Sequence, residues 1–240
     1  MYVLALDSTA VSASVALSDG ERLLGEILVE NGNTHSETLL PMVEELLLKF
    51  SLTARDVDLF ACTVGPGSFT GVRIGAATVK GLAFGSDTPC VGVSTLEALA
   101  RNLEGFGAGL PDGAIVSPVM NARRSQVYNA LFRVTGGLPE RLTEDRALAI
   151  SELEQELLSY HAPVYLVGDG YGVTMAGLSA LVPENTPVRL RMLSAYAVTE
   201  IALERYKKGL TDTDRSLVPV YLRPCQAERE RLEKERASRQ

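Results

Sequence analysis

Apolar positions at the start of the chain fall into three short runs. Tyr2 to Leu6 is continuous and ends in an acid, Asp7. Ser12 to Leu17 alternates, with Ser12, Ser14 and Ala16 on one face and Ala13, Val15 and Leu17 on the other, the period of a half-buried strand. Leu23 to Val29 follows Asp19-Gly20, a dipeptide suited to the positive φ of a tight hairpin. Three strands are predicted, and then the period changes. Thr34-His35-Ser36-Glu37 has capping-box spacing. Beyond it Leu39, Leu40, Met42, Val43, Leu46, Leu47 and Phe50 form a wide apolar stripe on a helix to about Phe50, while Leu48 falls with Glu44 and Pro41 on the other side. Pro41 removes one interior hydrogen bond, so a kink or a later helix start is expected.

Asp58 to Val64 then reads as a buried strand, Gly65 to Gly71 as a glycine-rich loop, and Val72 to Gly85 as a helix of small residues. Cys90 to Val93 is a further strand, and Ser94-Thr95-Leu96-Glu97 is a second capping box opening a helix to about Leu103. The first half is thus βββαβαβα. Glu104 to Asp112, with Gly105, Gly107, Gly109 and Pro111, is the expected boundary. After it Ala114 to Met120 and Ser125 to Val134 read as strands around the turn Asn121 to Arg124, and Thr135-Gly136-Gly137 as another turn. Ser151-Glu152-Leu153-Glu154 caps a helix, Val164 to Val167 is a strand running into Gly168-Asp169-Gly170, and Ser194 to Lys208 is a closing helix that packs back on the first half. The class is α/β in two tandem halves, residues 1–104 and 105–223, followed by a charged tail at 224–240. In that tail Glu228 to Arg239 alternates acids and bases with Leu232 as its large apolar residue, the pattern of a solvated helix.

Composition narrows the classes. The chain has 240 residues, 46% hydrophobic and 22% charged, with Gly 21 and Pro 11, which excludes fibrous and wholly disordered types. Its net charge of −7 argues against holding nucleic acid by bulk charge, so a role on RNA calls for a partner. Cys62, Cys90 and Cys225 are odd in number and lack CxxC spacing, which points to free thiols in a reducing cytoplasm. The N-terminus begins directly with strand pattern and no apolar run approaches a membrane span, so a cytoplasmic, unprocessed protein is expected.

Candidate chemistry is concentrated at loop positions. Gly65-Pro66-Gly67-Ser68-Phe69-Thr70-Gly71 lies between a strand and a helix, where backbone N–H groups and a helix end face an anion. It lacks the lysine of a Walker loop and the GxGxxG spacing of a dinucleotide fold, and small residues equally permit tight helix contacts. A phosphate or nucleotide loop of Asp7, Ser8, Thr9, Gly65, Gly67, Ser68 and Gly71 therefore stands beside a structural reading. Asp7 and Asp169 end strands of the two halves and would line a cleft between them; alternatively each is a turn residue satisfying its own backbone. His35 and His161 are the only histidines, so neither HExxH nor a local two-histidine metal site can be built, and no serine sits in a GxSxG elbow. His35 is assigned to the loop entering the first helix. Arg123-Arg124 and Lys207-Lys208 read as solvated basic pairs.

Taken together, five segments resemble the TsaB (YeaZ) family of bacterial tRNA modification. They are Leu4 to Thr9, His35-Ser36-Glu37 with Leu40-Pro41, Gly65 to Arg73, Asn121-Ala122-Arg123, and Pro219-Val220-Tyr221-Leu222-Arg223. The resemblance implies the actin-like ATPase (ASKHA) fold and a non-catalytic role. Such a subunit pairs with a catalytic TsaD and with the ATPase TsaE, and the complex forms threonylcarbamoyladenosine beside the tRNA anticodon. It implies no metal or cofactor of this chain's own, with ATP the alternative, contact with tRNA only through the complex, and homodimerisation when the chain is alone. The family's dimer surface falls on residues 36 to 50 and 72 to 85, here with Leu40, Val43, Leu47, Arg73, Ala76, Val79 and Lys80. On that basis a charge at Ala76 or Leu47 is expected to break partner binding without unfolding the chain. Asn121 stands where the family usually has Asp, and Asp7-Ser8-Thr9 lacks the glycine of an active actin-like phosphate loop. An independent ATP-dependent small-molecule kinase and a metallopeptidase are the other classes left open.

Overall fold

In the computed structural model, which describes residues 1–30, 32, 34–104 and 109–223, the opening runs form a meander of β1 (Tyr2–Asp7), β2 (Ala13–Asp19) and β3 (Arg22–Val29). Their antiparallel registers run from Tyr2↔Asp19 to Asp7↔Ser14 and from Ala13↔Val29 to Asp19↔Arg22, and Gly20 takes φ +60° at the hairpin. On the other side of β1, the parallel strands β4 (Leu59–Gly65) and β5 (Cys90–Ser94) complete a sheet of order β3-β2-β1-β4-β5. Helices α1 (His35–Lys49), α2 (Phe69–Ala83) and α3 (Thr95–Arg101) follow β3, β4 and β5, so the βββαβαβα order holds.

The second sheet is built around β6 (Ile115–Asn121). Its order is β10-β7-β6-β8-β9, with β11 (Val164–Val167) parallel to β6. The single strand expected over Ser125 to Val134 is two, β7 (Gln126–Asn129) and β8 (Phe132–Thr135), broken where Ala130 and Leu131 turn into the core. Two short strands escaped the sequence reading, β9 (Leu138–Arg141) and β10 (Arg146–Ala149). Helices α4 (Ile150–Ser159), α5 (Tyr171–Gly177), α6 (Val188–Arg191) and α7 (Ala195–Lys207) complete the described α-helices. The expected boundary at Glu104 to Asp112 lies outside the described residues at 105–108, and the charged tail at 224–240 lies wholly outside them. None of the described helices is long and apolar enough to cross a membrane.

Two of the three cores share the first sheet. Leu4, Leu6, Val15 and Leu17 point to one side, where α1 and α2 cover them. Val3 and Ala5 point to the other, where they pack with α3, α7 and, continuously, with Val116, Phe132 and Val167 of the second sheet. β2 is consequently buried on both faces from Ala13 to Ser18, not on one: α1 covers one side and α7 the other. A third core, containing Leu131, Leu153 and Leu166, lies beneath α4. Cys62 and Cys90 are free thiols within the first sheet, and burial pushes Cys90 up to about 11.

Helix starts depart from the expected spacing in instructive ways. Thr34 occupies the cap position of α1, but its hydroxyl donates to the Glu37 carboxylate at 2.9 Å instead of accepting a backbone N–H. Pro41 lies inside α1, which starts at His35 and not later. Ser94 does cap α3, accepting from Glu97 N. Ser151 is not a cap, since α4 begins two residues earlier than the Ser151-Glu152 spacing suggested, with the Glu152 carboxylate accepting from Ala149 N at 2.9 Å.

The wide stripe of α1 divides at the surface. Val43 and Leu47 are buried against the chain's own sheet, as are Ala76 and Val79 of α2, so these four are not an exposed partner surface. A helix lying on a sheet spends its apolar face on that sheet first. What remains outward is Leu40 and Leu48 on α1, the latter 77% exposed, with Arg73, Ala77, Gly81 and Phe84 along α2. Leu47→Glu is therefore expected to destabilise the fold by about 3 kcal/mol or more, because it buries an unpaired charge, whereas Leu48→Glu stays within about 0.5 kcal/mol. Urea midpoints of the two variants check this, and equal midpoints would contradict the burial.

Glu154 holds down the segment after α5. Its carboxylate accepts from Ser179 N, Ala180 N and Leu181 N at 2.7, 2.6 and 2.9 Å and from the Ser179 hydroxyl at 2.8 Å. The N–H groups of Leu181 and Ala180, then the Ser179 hydroxyl, pull its pKa from 4.5 down to about 2. The folded value lies below the ordinary one, so the stabilisation is present above pH 4.5 and disappears as pH falls toward 2. Glu154→Gln should abolish that acid dependence and speed hydrogen exchange at Ser179 to Leu181 at neutral pH, while unchanged exchange would show that the carboxylate does not anchor the segment.

Candidate functional site

At the carboxyl end of β1 the chain turns inward. Asp7 is wholly buried, and its Oδ1 accepts from Thr9 N at 3.2 Å, Thr9 Oγ1 at 2.6 Å and Thr63 Oγ1 at 2.5 Å, while Oδ2 has no partner. Burial raises its pKa against the opposing hydrogen bonds from Thr63 and Thr9. His35 secures the same turn from outside, with Nε2 at 2.8 Å from the Ala10 carbonyl.

The glycine-rich segment meets this strand end at very short range. α2 starts at Phe69, inside the segment, because Ser68 caps it by accepting from Gly71 N at 3.3 Å. Ser68 N donates to the Thr9 carbonyl at 2.7 Å, and Ser8 Oγ donates to the Gly71 carbonyl at 2.9 Å. A Cβ at Gly67 would stand 2.5 Å from the Thr9 carbonyl oxygen, and one at Gly71 would run into that of Ser8. These glycines are thus required by backbone packed on backbone. Gly65, at φ +114°, has a different neighbour: a Cβ there would meet the Val220 carbonyl at 2.5 Å.

That carbonyl belongs to a C-terminal strap. Asp212 bridges Cys90, Leu217 is buried under α2, its carbonyl receives Lys80 Nζ at 3.2 Å, and Val220 N donates to the Val64 carbonyl at 2.7 Å. Arg73 locks the strap to α2: its guanidinium lies 3.8 Å over the Phe69 ring, and Nε donates to Tyr221 Oη at 2.8 Å. Arg223 reaches the second half, donating to the Ala122 carbonyl at 2.9 Å.

Between these parts opens a cleft of about 560 Å³. Thr9 to Val11, Pro66 to Thr70, Asn121 to Arg123 and Val220 to Arg223 line it, with Tyr128 and Asp169. Segments far apart in the chain thus surround one space. A second cleft of about 350 Å³, lined by Thr95, Leu99, Tyr171 and Arg191 among others, shares Ala10, Val11, Met120, Asn121 and Asp169 with the first. Asp169 is exposed and touches the open space of both clefts. Desolvation, with a smaller push from Asp7, moves its pKa up to about 6 despite the hydrogen bond from Asn121 N at 3.1 Å. The two acids expected at a shared cleft are electrostatic neighbours, but Asp169 lines it and Asp7 stands behind its wall.

Of the predicted loop residues, Thr9, Gly67 and Ser68 reach the first cleft, whereas Ser8 and Gly71 are spent on the strand–helix contact. Phe69, Arg123, Tyr128, Tyr221 and Arg223 were not singled out as site residues, although four of them lie within the segments that carry the family resemblance. Aromatic and arginine residues in loops flanking glycine and proline were the available signal. His35 and His161 lie apart, one opening α1 and the other in the turn after α4 at φ +50°.

Comparison with known proteins gives consistent matches along nearly the whole chain. The family model described as TsaD, tRNA N6-adenosine threonylcarbamoyltransferase, matches residues 29–212. The tRNA threonylcarbamoyladenosine biosynthesis protein TsaB of Bacillus subtilis is 29% identical over 236 residues, which cover 98% of this chain and 100% of that protein. Escherichia coli TsaB is 32% identical over 228 residues, covering 93% and 95%. A crystal structure from Pseudomonas aeruginosa, described as an uncharacterized protein with similarity to peptidase YeaZ, superposes with a TM-score of 0.78 at 27% identity, covering 92% of this chain and 99% of that one. The chain therefore shares the fold of that YeaZ-like structure.

The strand–helix contact makes a direct prediction. Gly71→Ala should destabilise the chain by at least about 2 kcal/mol through forced separation of β1 and α2. Gly81→Ala, where a Cβ meets nothing within 4 Å, should stabilise it by about 0.5–1 kcal/mol through helix propensity. Thermal melts of both variants test the pair, and a neutral Gly71→Ala would refute the close approach.

Proposed function

Because the chain belongs to the TsaB family, we propose that it is the accessory, non-catalytic subunit of a tRNA threonylcarbamoyl transferase, paired with a TsaD-like catalytic subunit and served by a TsaE-like ATPase. Its part in forming threonylcarbamoyladenosine is the role for which its full-length relatives are named. The observation that carries the accessory reading is the filled helix start. The Thr9 carbonyl occupies the Ser68 N–H, and Ser68 itself caps Gly71, so the glycine segment serves as a joint between β1 and α2. Asp7, the acid an independent kinase would need at its metal–phosphate centre, is enclosed and bonded to Thr9 and Thr63.

For the partner surface we take the outward ridges of α1 and α2. Leu40 and Leu48 lie on one, and Ala77, Gly81 and Phe84 on the other, the last 80% exposed. Small residues between apolar ends let a second helix pair approach closely, and burial of those ends supplies the driving force. The same face would serve self-association when the catalytic subunit is absent. Val43, Leu47, Ala76 and Val79 support this ridge from beneath.

Purified with the TsaD-like subunit of its own source, the chain should co-elute in size-exclusion chromatography. Ala77→Glu and Leu48→Glu should each weaken association about tenfold or more while preserving the melting temperature. Wild-type association in both variants would remove this face, and absence of any complex with the wild-type chain would remove the accessory role.

A further inference from the structure

The first cleft has a charge opposite to that of the chain. The protein carries −7 overall, yet Arg123 and Arg223 line the cleft and Arg73 stands at its rim, against one carboxylate, Asp169. Among the described residues none of these three arginines forms an ion pair, whereas Arg101, Arg141, Arg146 and Arg205 all do. Two of the three guanidiniums are held in place by other means. Arg73 is fixed by the Phe69 ring and the Tyr221 hydroxyl, and Arg223 by the Ala122 carbonyl, with the Tyr128 ring 6.0 Å from its centre. Arg123 is exposed and sits at φ +63° in a turn pinned by its own N–H on Asn121 Oδ1 at 2.8 Å.

Aromatic surface is interleaved with this charge. Tyr221 is 42% exposed, its ring 4.7 Å from that of Phe69, and Val220 beside it is 47% exposed. Apolar and ring surface left open beside preplaced guanidiniums suits a ligand that is anionic along a backbone and flat in its side groups. Unpaired nucleotides have that form: phosphates meet arginine, and splayed bases stack on tyrosine, phenylalanine or the guanidinium plane. A bare phosphate would leave the rings unused, and an apolar peptide would leave the arginines unpaired.

We propose that this cleft is the chain's own contact site for single-stranded RNA, taking unpaired loop nucleotides between Arg123, Arg223 and the Tyr221 platform. The proposal rests on the reading of the chain as a subunit of a tRNA-modifying complex and gives that subunit a direct hold on the substrate. Phosphate contacts position the loop, and the rings accept a base face without reading its edge, so the contact tolerates sequence.

The test is fluorescence anisotropy with a labelled anticodon stem-loop RNA, using the chain in complex with its TsaD-like partner and also alone. Wild-type affinity should fall with added salt. Arg123→Gln should weaken binding about threefold to tenfold and lower the salt slope by about one. Tyr221→Leu, which keeps apolar packing on Phe69, should weaken binding while leaving the salt slope unchanged. Melting temperatures and chromatographic co-elution with the partner are recorded for each variant. An intact complex that binds RNA with wild-type affinity and slope when Arg123→Gln and Tyr221→Leu are combined in one chain overturns this proposal and leaves the accessory role standing. Failure of the wild-type chain to form the complex overturns the accessory role instead. Displacement of the RNA by equimolar free ATP, or retention of affinity by a duplex without a loop, also overturns the loop-RNA assignment.

Discussion

Everything in the first half is referred to the place where the end of β1 touches the start of α2. There the Thr9 carbonyl takes the Ser68 N–H at 2.7 Å, Ser8 reaches the Gly71 carbonyl, and no side chain fits between the two backbones. A strand and a helix brought this close must be glycine on the helix side. The contact also fixes Asp7: with Thr9 and Thr63 pinned, one carboxylate oxygen is bonded three times and the other is left enclosed without a partner. What resembles a ligand loop in the sequence is therefore a weld in the fold. The ligand space opens beyond it.

That space exists because the two sheets are joined by a continuous core on one side and tied by the strap on the other. Val3, Ala5 and Val93 pack into the same cluster as Val116, Phe132 and Val167, so the halves cannot part without exposing it. The strap runs from Asp212, over β4 and α2, to Arg223 on the Ala122 carbonyl, and closes the end of the cleft that the core leaves open. Gly65 is the position where the strap crosses the sheet, and its glycine admits the Val220 carbonyl.

The order of elements in the first half was legible because apolar runs of strand length alternate with helical stripes, and hydrophobic period survives whatever covers it. Faces were less legible. Val43 and Leu47 carry the same signal whether they meet the chain's own sheet or another protein, and only the placement of β2 beneath them decides. Starts misled where a different group did the capping: Ser68 opens α2 without a Glu three residues on, and Glu152 serves Ala149 although Ser151 looked like the cap. β9 and β10 are four residues each, mixed with Arg and Glu, too short for alternation to rise above loop composition. The cleft itself was only half visible. Its glycines and Asp169 could be named from their places at strand ends, but the joining of Arg73, Phe69 and Tyr221 spans 148 positions in the sequence and has no local signature.

The sign of the charge at the cleft connects these points. An acidic chain cannot hold RNA through its general surface, and its net charge keeps it from binding nucleic acid at random. It can still hold RNA where a few guanidiniums are concentrated and already oriented, since stacking on Phe69 and bonding to a backbone carbonyl remove the entropy that a free arginine would lose on binding. The oriented groups depend on the strap, the strap crosses the sheet at Gly65, and the cleft wall depends on the β1–α2 weld. One joint thus serves two ends: the contact that fills the start of α2 also supports the wall of the arginine- and tyrosine-lined cleft beside it.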